Sequence, residues 1–203
     1  MRLEVATAIL LLMPQAAFAV CDGMQPPRPQ VRVTVGDPLR PTILPTTAEE
    51  IRRRAPASAQ ALPEQAVTRG LTLDRAETAT RTTLAMIGKG KGACVALTAI
   101  DAQVVNRELT VLVDSRYSRL SCAYRAILDH EQEHVRVNAA SLREKARLVE
   151  ERLRTVAAEW GGRWLPNGRQ RLQAVIGQAI EQATRDARSA AARRQARIDA
   201  PES

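Results

Sequence analysis

From Ser121 to about Trp160 the apolar residues of this chain recur at helical spacing, so roughly a fifth of the sequence is committed to one long helix before any other element is placed. The segment GGRWLPNG stops that helix. A second begins at about Arg169 and runs to Ile198, with Leu172, Val175, Ile176, Ala179, Ala183, Ala187 and Ala190 along one side. Aromatic residues make up only 2% of the chain and alanine fills this seam, so the two helices are expected to approach closely over thin side chains.

Everything upstream reads as strands and turns. Residues 20–45 are dense in proline and carry one strand, VRVTVG. In TAEEIRRRAP, Thr47 and Glu50 have the spacing of a capping box and Pro56 is a stop, which gives a short helix. LTLDRAETATRTTLAMIG, rich in threonine and partly alternating, is a strand, and GKGKG is a loop. ACVALTAIDAQVV and RELTVLVDSRY are two β-branched runs joined near Asn106, the pattern of a hairpin. The expected architecture is α+β, a small antiparallel sheet packed with two long helices, with residues 46–203 forming a single domain.

The first residues combine a weakly charged start, an apolar run from Ala6 to Met13 and a small-residue ending at Ala17-Phe18-Ala19. That is the pattern of a secretory signal peptide, residues 1–19, cleaved after Ala19; the apolar run is too short to span a bilayer. A periplasmic or secreted chain with no transmembrane segment is expected. Val20 in front of Cys21 disfavours lipid anchoring, which needs a small residue there. In an oxidising compartment Cys94 and Cys122 are expected to be bridged. Closing that loop of about 28 residues would contribute roughly 3 kcal/mol in the chain-entropy model.

The formal charge is +8, and removing residues 1–19 takes away one Arg and one Glu, leaving it unchanged. Much of the excess lies in RDARSAAARRQAR. Such a face suits an anionic cell-envelope polymer, but no aromatics are interleaved for base stacking, so nucleic acid is not expected.

The chain's two histidines both fall in AILDHEQEH on the first long helix. Residues i and i+4 share a helix face, so His130 and His134 can place two imidazole nitrogens on one zinc ion. The spacing together with a glutamate in the right place arises by chance roughly once in 1,000. HEQEH offers two glutamates, Glu131 for H-E-x-x-H and Glu133 for the inverted H-x-x-E-H. At about 100° per residue, Glu131 falls inside the apolar stripe of Tyr124, Ile127, Leu128, Val135, Leu142, Val149 and Leu153, whereas Glu133 points away. A lone carboxylate on a packed face is costly unless it has a purpose, so Glu131 is the candidate general base.

A catalytic zinc takes three protein ligands, and there is no third histidine. Asp186, Asp114 and Asp199 are the candidate carboxylates. Simple antiparallel pairing of the helices sets Asp186 nearer Ser141 than His134, while Asp199 fits better by position. RELTVLV is the strand placed in sequence to receive an extended peptide, with Tyr117 as an oxyanion donor or, more simply, a packing residue.

The order of signal peptide, TAEEIRRRAP, a strand with Gly92 and Cys94, a second strand, then AILDHEQEH leading into a long Ala/Arg/Leu helix resembles the small secreted bacterial proteins described as zinc-dependent proteases. The likeness covers roughly residues 31–160. It implies a minimal zincin-like fold, zinc on His130 and His134, Glu131 as base and a peptide or protein substrate. Glu133 departs from the small residue common before the second histidine in that family. The reading with which this competes is a non-enzymatic, basic envelope protein that binds an anionic polymer or a protein partner.

Overall fold

A computed structural model describes residues 25–55, 69–88, 93–166 and 168–199. The chain runs β1 (Gln30–Val35), β2 (Thr42–Thr46), α1 (Ala48–Arg54), β3 (Gly70–Ile87), β4 (Cys94–Asp114), α2 (Cys122–Trp160), β5 (Leu165–Pro166) and α3 (Gly168–Ile198). The fold is α+β, a five-stranded sheet with two long helices. The signal-peptide and Cys21 readings, together with Pro56 and residues 89–92 of the GKGKG loop, lie outside the described residues.

β4 is the spine of the sheet. β3 runs antiparallel along one edge for almost its whole length, and the other edge is shared in turn by β5, β1 and β2. β1 and β2 both pair parallel to β4. The sheet is therefore mixed, and the expected antiparallel sheet is corrected. The proline-rich segment supplies two strands to it rather than one. Pro45 is tolerated in β2 because that strand lies at the sheet's edge, where a missing N–H breaks no ladder.

The expected hairpin at Asn106 is also corrected. ACVALTAIDAQVV and RELTVLV are one strand of 21 residues, and the polar interruption is absorbed by a β-bulge. Ala76 pairs with Asn106 and Arg75 with Glu108, leaving Arg107 as the extra residue. Consequently Cys94 and Cys122 are not neighbours. A strand of that length spans roughly 65 Å, which puts Cys94 at one end of β4 and the start of α2 at the other. Cys122 is free and exposed, and Cys94, fully buried, is disulfide-bonded, but not to Cys122.

α2 opens on an N-cap at Ser121, whose hydroxyl accepts from the Tyr124 N–H at 3.1 Å. The helix then retraces β4. Near its start Tyr124, Ile127 and Leu128 cover Val111 and Val113. Further along, Leu142, Ala146, Val149, Leu153 and Val156 cover Val95, Leu97, Ile100, Ala102 and Val104. Gly162, at φ 70°, takes the left-handed conformation that turns the chain back. α3 then runs antiparallel along α2, burying Leu172, Ile176, Ala183 and Ala187, so the thin alanine seam read from the sequence does join the two helices. No helix among the described residues is long and apolar enough to cross a membrane.

Candidate metal centre

His130 and His134 stand one turn apart on α2, and a second pair comes to meet them from the end of α3. Gln195 lies in the last turn of α3. Asp199 follows Ile198 directly, and its N–H donates to the Gln195 carbonyl at 3.2 Å, so these two residues also share one helix face. The antiparallel register brings Asp186 to Arg152, Arg194 to Glu144, and finally Gln195 and Asp199 to Asn138 and the histidines.

The two histidine Nε2 atoms are 3.1 Å apart, and Asp199 Oδ1 is 3.1 Å from His134 Nε2 and 3.4 Å from His130 Nε2. Three electron-rich atoms at this spacing repel one another unless a proton or a cation lies among them. Tetrahedral coordination at about 2.0–2.1 Å sets ligand atoms about 3.3 Å apart, and the three edges match one face of such a tetrahedron. The His130–His134–Asp199 group could hold a metal ion.

The structure thus brings Asp199 to the histidines and leaves the other two aspartates elsewhere. Asp186 accepts from Arg152 at 3.1 Å and from Gln182 at 2.9 Å. Its neighbours Thr184 and Ala187 share a cavity wall with Ser141 and Leu142, so it stays away from the histidines as simple antiparallel pairing of the helices requires. Asp114 is 0% exposed and accepts from Arg116 at 2.6 Å, with Arg69 at 3.7 Å. Hydrogen bonding to Arg116 holds its carboxyl below the usual carboxylate range. Tyr117 packs in the small cluster over Val111 and Val113, with the Arg69 guanidinium 5.7 Å from its ring centre.

Two residues that sequence reasoning did not assign to the site complete it. His134 Nδ1 donates to Gln195 Oε1, and Gln195 Nε2 donates to Asn138 Oδ1 at 2.6 Å. The second bond fixes the orientation of the Gln195 amide, so its oxygen faces the imidazole. A proton held on Nδ1 leaves the Nε2 lone pair free for a ligand role, the arrangement that orients metal-binding histidines generally. Asn138, one turn past His134 on the buried margin of α2, was a visible signal. Gln195, one turn before Asp199, was visible only once Asp199 was known. Gln195→Ala is expected to lower divalent-metal affinity by about 10–100-fold with the far-UV dichroism unchanged. Competition against a chromogenic chelator measures it, and an unaltered affinity would remove Gln195 from the site.

Glu131 is 3% exposed, inside the packed face of α2 as the helical wheel requires, whereas Glu133 is exposed and paired with Arg136. The Glu131 carboxylate rests on β3. Thr72 Oγ1 donates to its Oε2 at 2.7 Å, and a Cβ at Gly70 would fall 2.6 Å from Oε1 and 2.7 Å from Cγ. Burial pushes the Glu131 carboxyl above its ordinary value, opposed by the Thr72 hydrogen bond and by the two nearby imidazoles. Gly70 is therefore a close-approach position. Gly70→Ala is expected to cost about 1–3 kcal/mol, seen as a fall in thermal midpoint of roughly 2–4 °C per kcal/mol.

RELTVLV, proposed from sequence as the strand that receives a peptide, is paired on both sides, by β2 and by β3. The double pairing covers Thr110–Val113, and over that stretch the strand has no free edge for another strand. No family model, curated protein or solved structure matches the chain.

Proposed function

We propose that this protein is an exported zinc peptidase with His130, His134 and Asp199 as the metal ligands and Glu131 as the general base. The observation that carries this reading is the convergence of the two Nε2 atoms and Asp199 Oδ1 at 3.1–3.4 Å next to a glutamate buried in the same turn of helix. Two imidazoles and a carboxylate also suit ferrous iron; the H-E-x-x-H glutamate, a proton acceptor immediately beside the ligands, is what favours zinc and hydrolysis. When bound, zinc acts as a Lewis acid on the scissile carbonyl and lowers the pKa of water.

The chain's own residues supply the rest. Glu131 takes a proton from the attacking water and returns it to the leaving amine. Thr72 and Gly70 hold its carboxylate in one place, and the Asn138–Gln195 pair fixes the His134 ring. Among the described residues β3 pairs only with β4, so its outer edge has open backbone groups, and it is the strand that carries Gly70 and Thr72. An extended peptide added to that edge lies alongside the helix of the histidines, by main-chain pairing that is indifferent to most side chains.

Hydrolysis of an unstructured protein by the purified mature chain is expected to stop on treatment with 1,10-phenanthroline and to return with one equivalent of zinc. Hydrolysis undiminished by chelation, or absent from the stoichiometric zinc complex, would overturn the reading.

A further inference from the structure

A cavity of about 250 Å³ lies between β3, β4, α2 and α3, with Asp74, Asn106, Asn138, Lys145 and Arg188 in its wall. Two of these groups are out of place for a packed interior. Lys145 follows Leu142 by three residues and precedes Val149 by four, so it occupies the core-facing stripe of α2 and is only 6% exposed. Its ammonium donates to the Ala76 carbonyl at 3.3 Å and has no carboxylate within 4 Å among the described residues. An ammonium has three donors, so two remain to be filled. Asn106 interrupts the β-branched run of β4, and its Oδ1 is buried with no hydrogen-bond partner.

An apolar residue at either position would be more stable, since a buried charge with one acceptor and a buried amide oxygen with no donor both carry a desolvation cost. Burial accordingly lowers the pKa of Lys145, and Arg188 lowers it further, while Asp74 and Glu77 oppose them. The wall is charge-asymmetric in a useful way. Lys145 and Arg188 present two cations, Asp74 one anion, and Arg75, which also lines the cavity, is 3.5 Å from Glu77. The vacant donors call for an anion, and the vacant acceptor calls for an N–H or O–H. A volume below the roughly 300–1,000 Å³ of sites for drug-sized ligands limits the occupant to a small molecule.

We propose that this cavity is a binding site for a small carboxylic acid bearing a hydroxyl or amino group beside its carboxylate. Lys145 and Arg188 take the carboxylate, and Asn106 Oδ1 and Asp74 accept from the neighbouring donor. The site adjoins the metal centre, because Asn138 belongs to both, but its chemistry uses neither histidine and stands independently of the peptidase reading.

The test uses the full mature chain stripped of metal with 1,10-phenanthroline, which has no carboxylate of its own, and titrates L-lactate, L-alanine, propionate and inorganic phosphate by calorimetry and amide chemical shifts. Lactate or alanine is expected to saturate with a dissociation constant of about 1 mM or below. Propionate, which lacks the donor, and phosphate should bind at least about tenfold more weakly. Lys145→Met and Asn106→Ala should each weaken lactate or alanine by about tenfold or more, and Arg147→Gln, on the exposed side of α2, should not. Lys145→Gln serves if the methionine variant does not fold. Failure of both lactate and alanine to saturate, equal binding of propionate, or binding unchanged in the Lys145 variants would each overturn the proposal.

Discussion

Glu131→Gln is expected to lower peptide hydrolysis by about 10²–10⁴-fold, the range for loss of a general base, with the full complement of bound zinc retained. The substitution is close to isosteric. The amide oxygen still accepts from Thr72, whose hydroxyl lies 2.7 Å from Oε2 in the native chain, and the new side chain carries no charge to bury. Thermal stability should therefore hold or rise, which separates a chemical loss from a structural one. Glu133→Gln, at an exposed residue paired with Arg136, should leave activity within about twofold, as for a solvent-facing ion pair worth about 0–1 kcal/mol. If the two variants behave the other way round, the motif reads in its inverted direction and Glu131 is a structural anchor for β3. If Glu131→Gln is fully active, the carboxylate serves only the Thr72 contact and the peptidase reading loses its base.

What could be read in the sequence follows the range of the interactions that encode it. α2 and α3 were legible because a helix is specified by i to i+4 neighbours, and the turn between them by the GGRWLPNG break. The same local geometry separated Glu131 from Glu133, since a rotation of about 200° along one helix needs no knowledge of the partner. The Thr47 cap of α1 is likewise a three-residue matter. The sheet was not legible in this way. β1 and β2 pair parallel with segments of β4 more than 60 residues away, Gln30 with Ala99 and Thr42 with Thr110, and nothing local marks either the partner or the direction. Asn106 had the composition of a turn, and only the long partner strand decides that it is a bulge instead. That one difference also removed the expected Cys94–Cys122 bridge. At the site, both histidines were visible as a motif, while Asp199 and Gln195 depended on the register of α3, which the two-residue β5 and its pairing with Cys94 and Val95 help to set.

His134→Ala is expected to abolish stoichiometric zinc binding, and Asp199→Asn to weaken it by about 10²-fold, because each removes a member of a three-ligand set rather than a tuning contact. The effect should reach the fold as well as the site. The two histidines sit early in α2 and Asp199 is the first residue past α3, so a shared ion ties the end of one long helix to the body of the other. A helix end frays when nothing holds it. Zinc at 100 times its dissociation constant stabilises the native state by about 2.7 kcal/mol, a rise of roughly 5–11 °C in thermal midpoint for a chain of this size. The rise should vanish in His134→Ala and shrink in Asp199→Asn. Hydrogen exchange gives the local form of the same result, with amides of the last two turns of α3 slowed by zinc in the wild type and unaffected in His134→Ala. Equal zinc content and equal protection in both proteins would place any metal elsewhere and leave the His130–His134–Asp199 group as a polar contact between two helices.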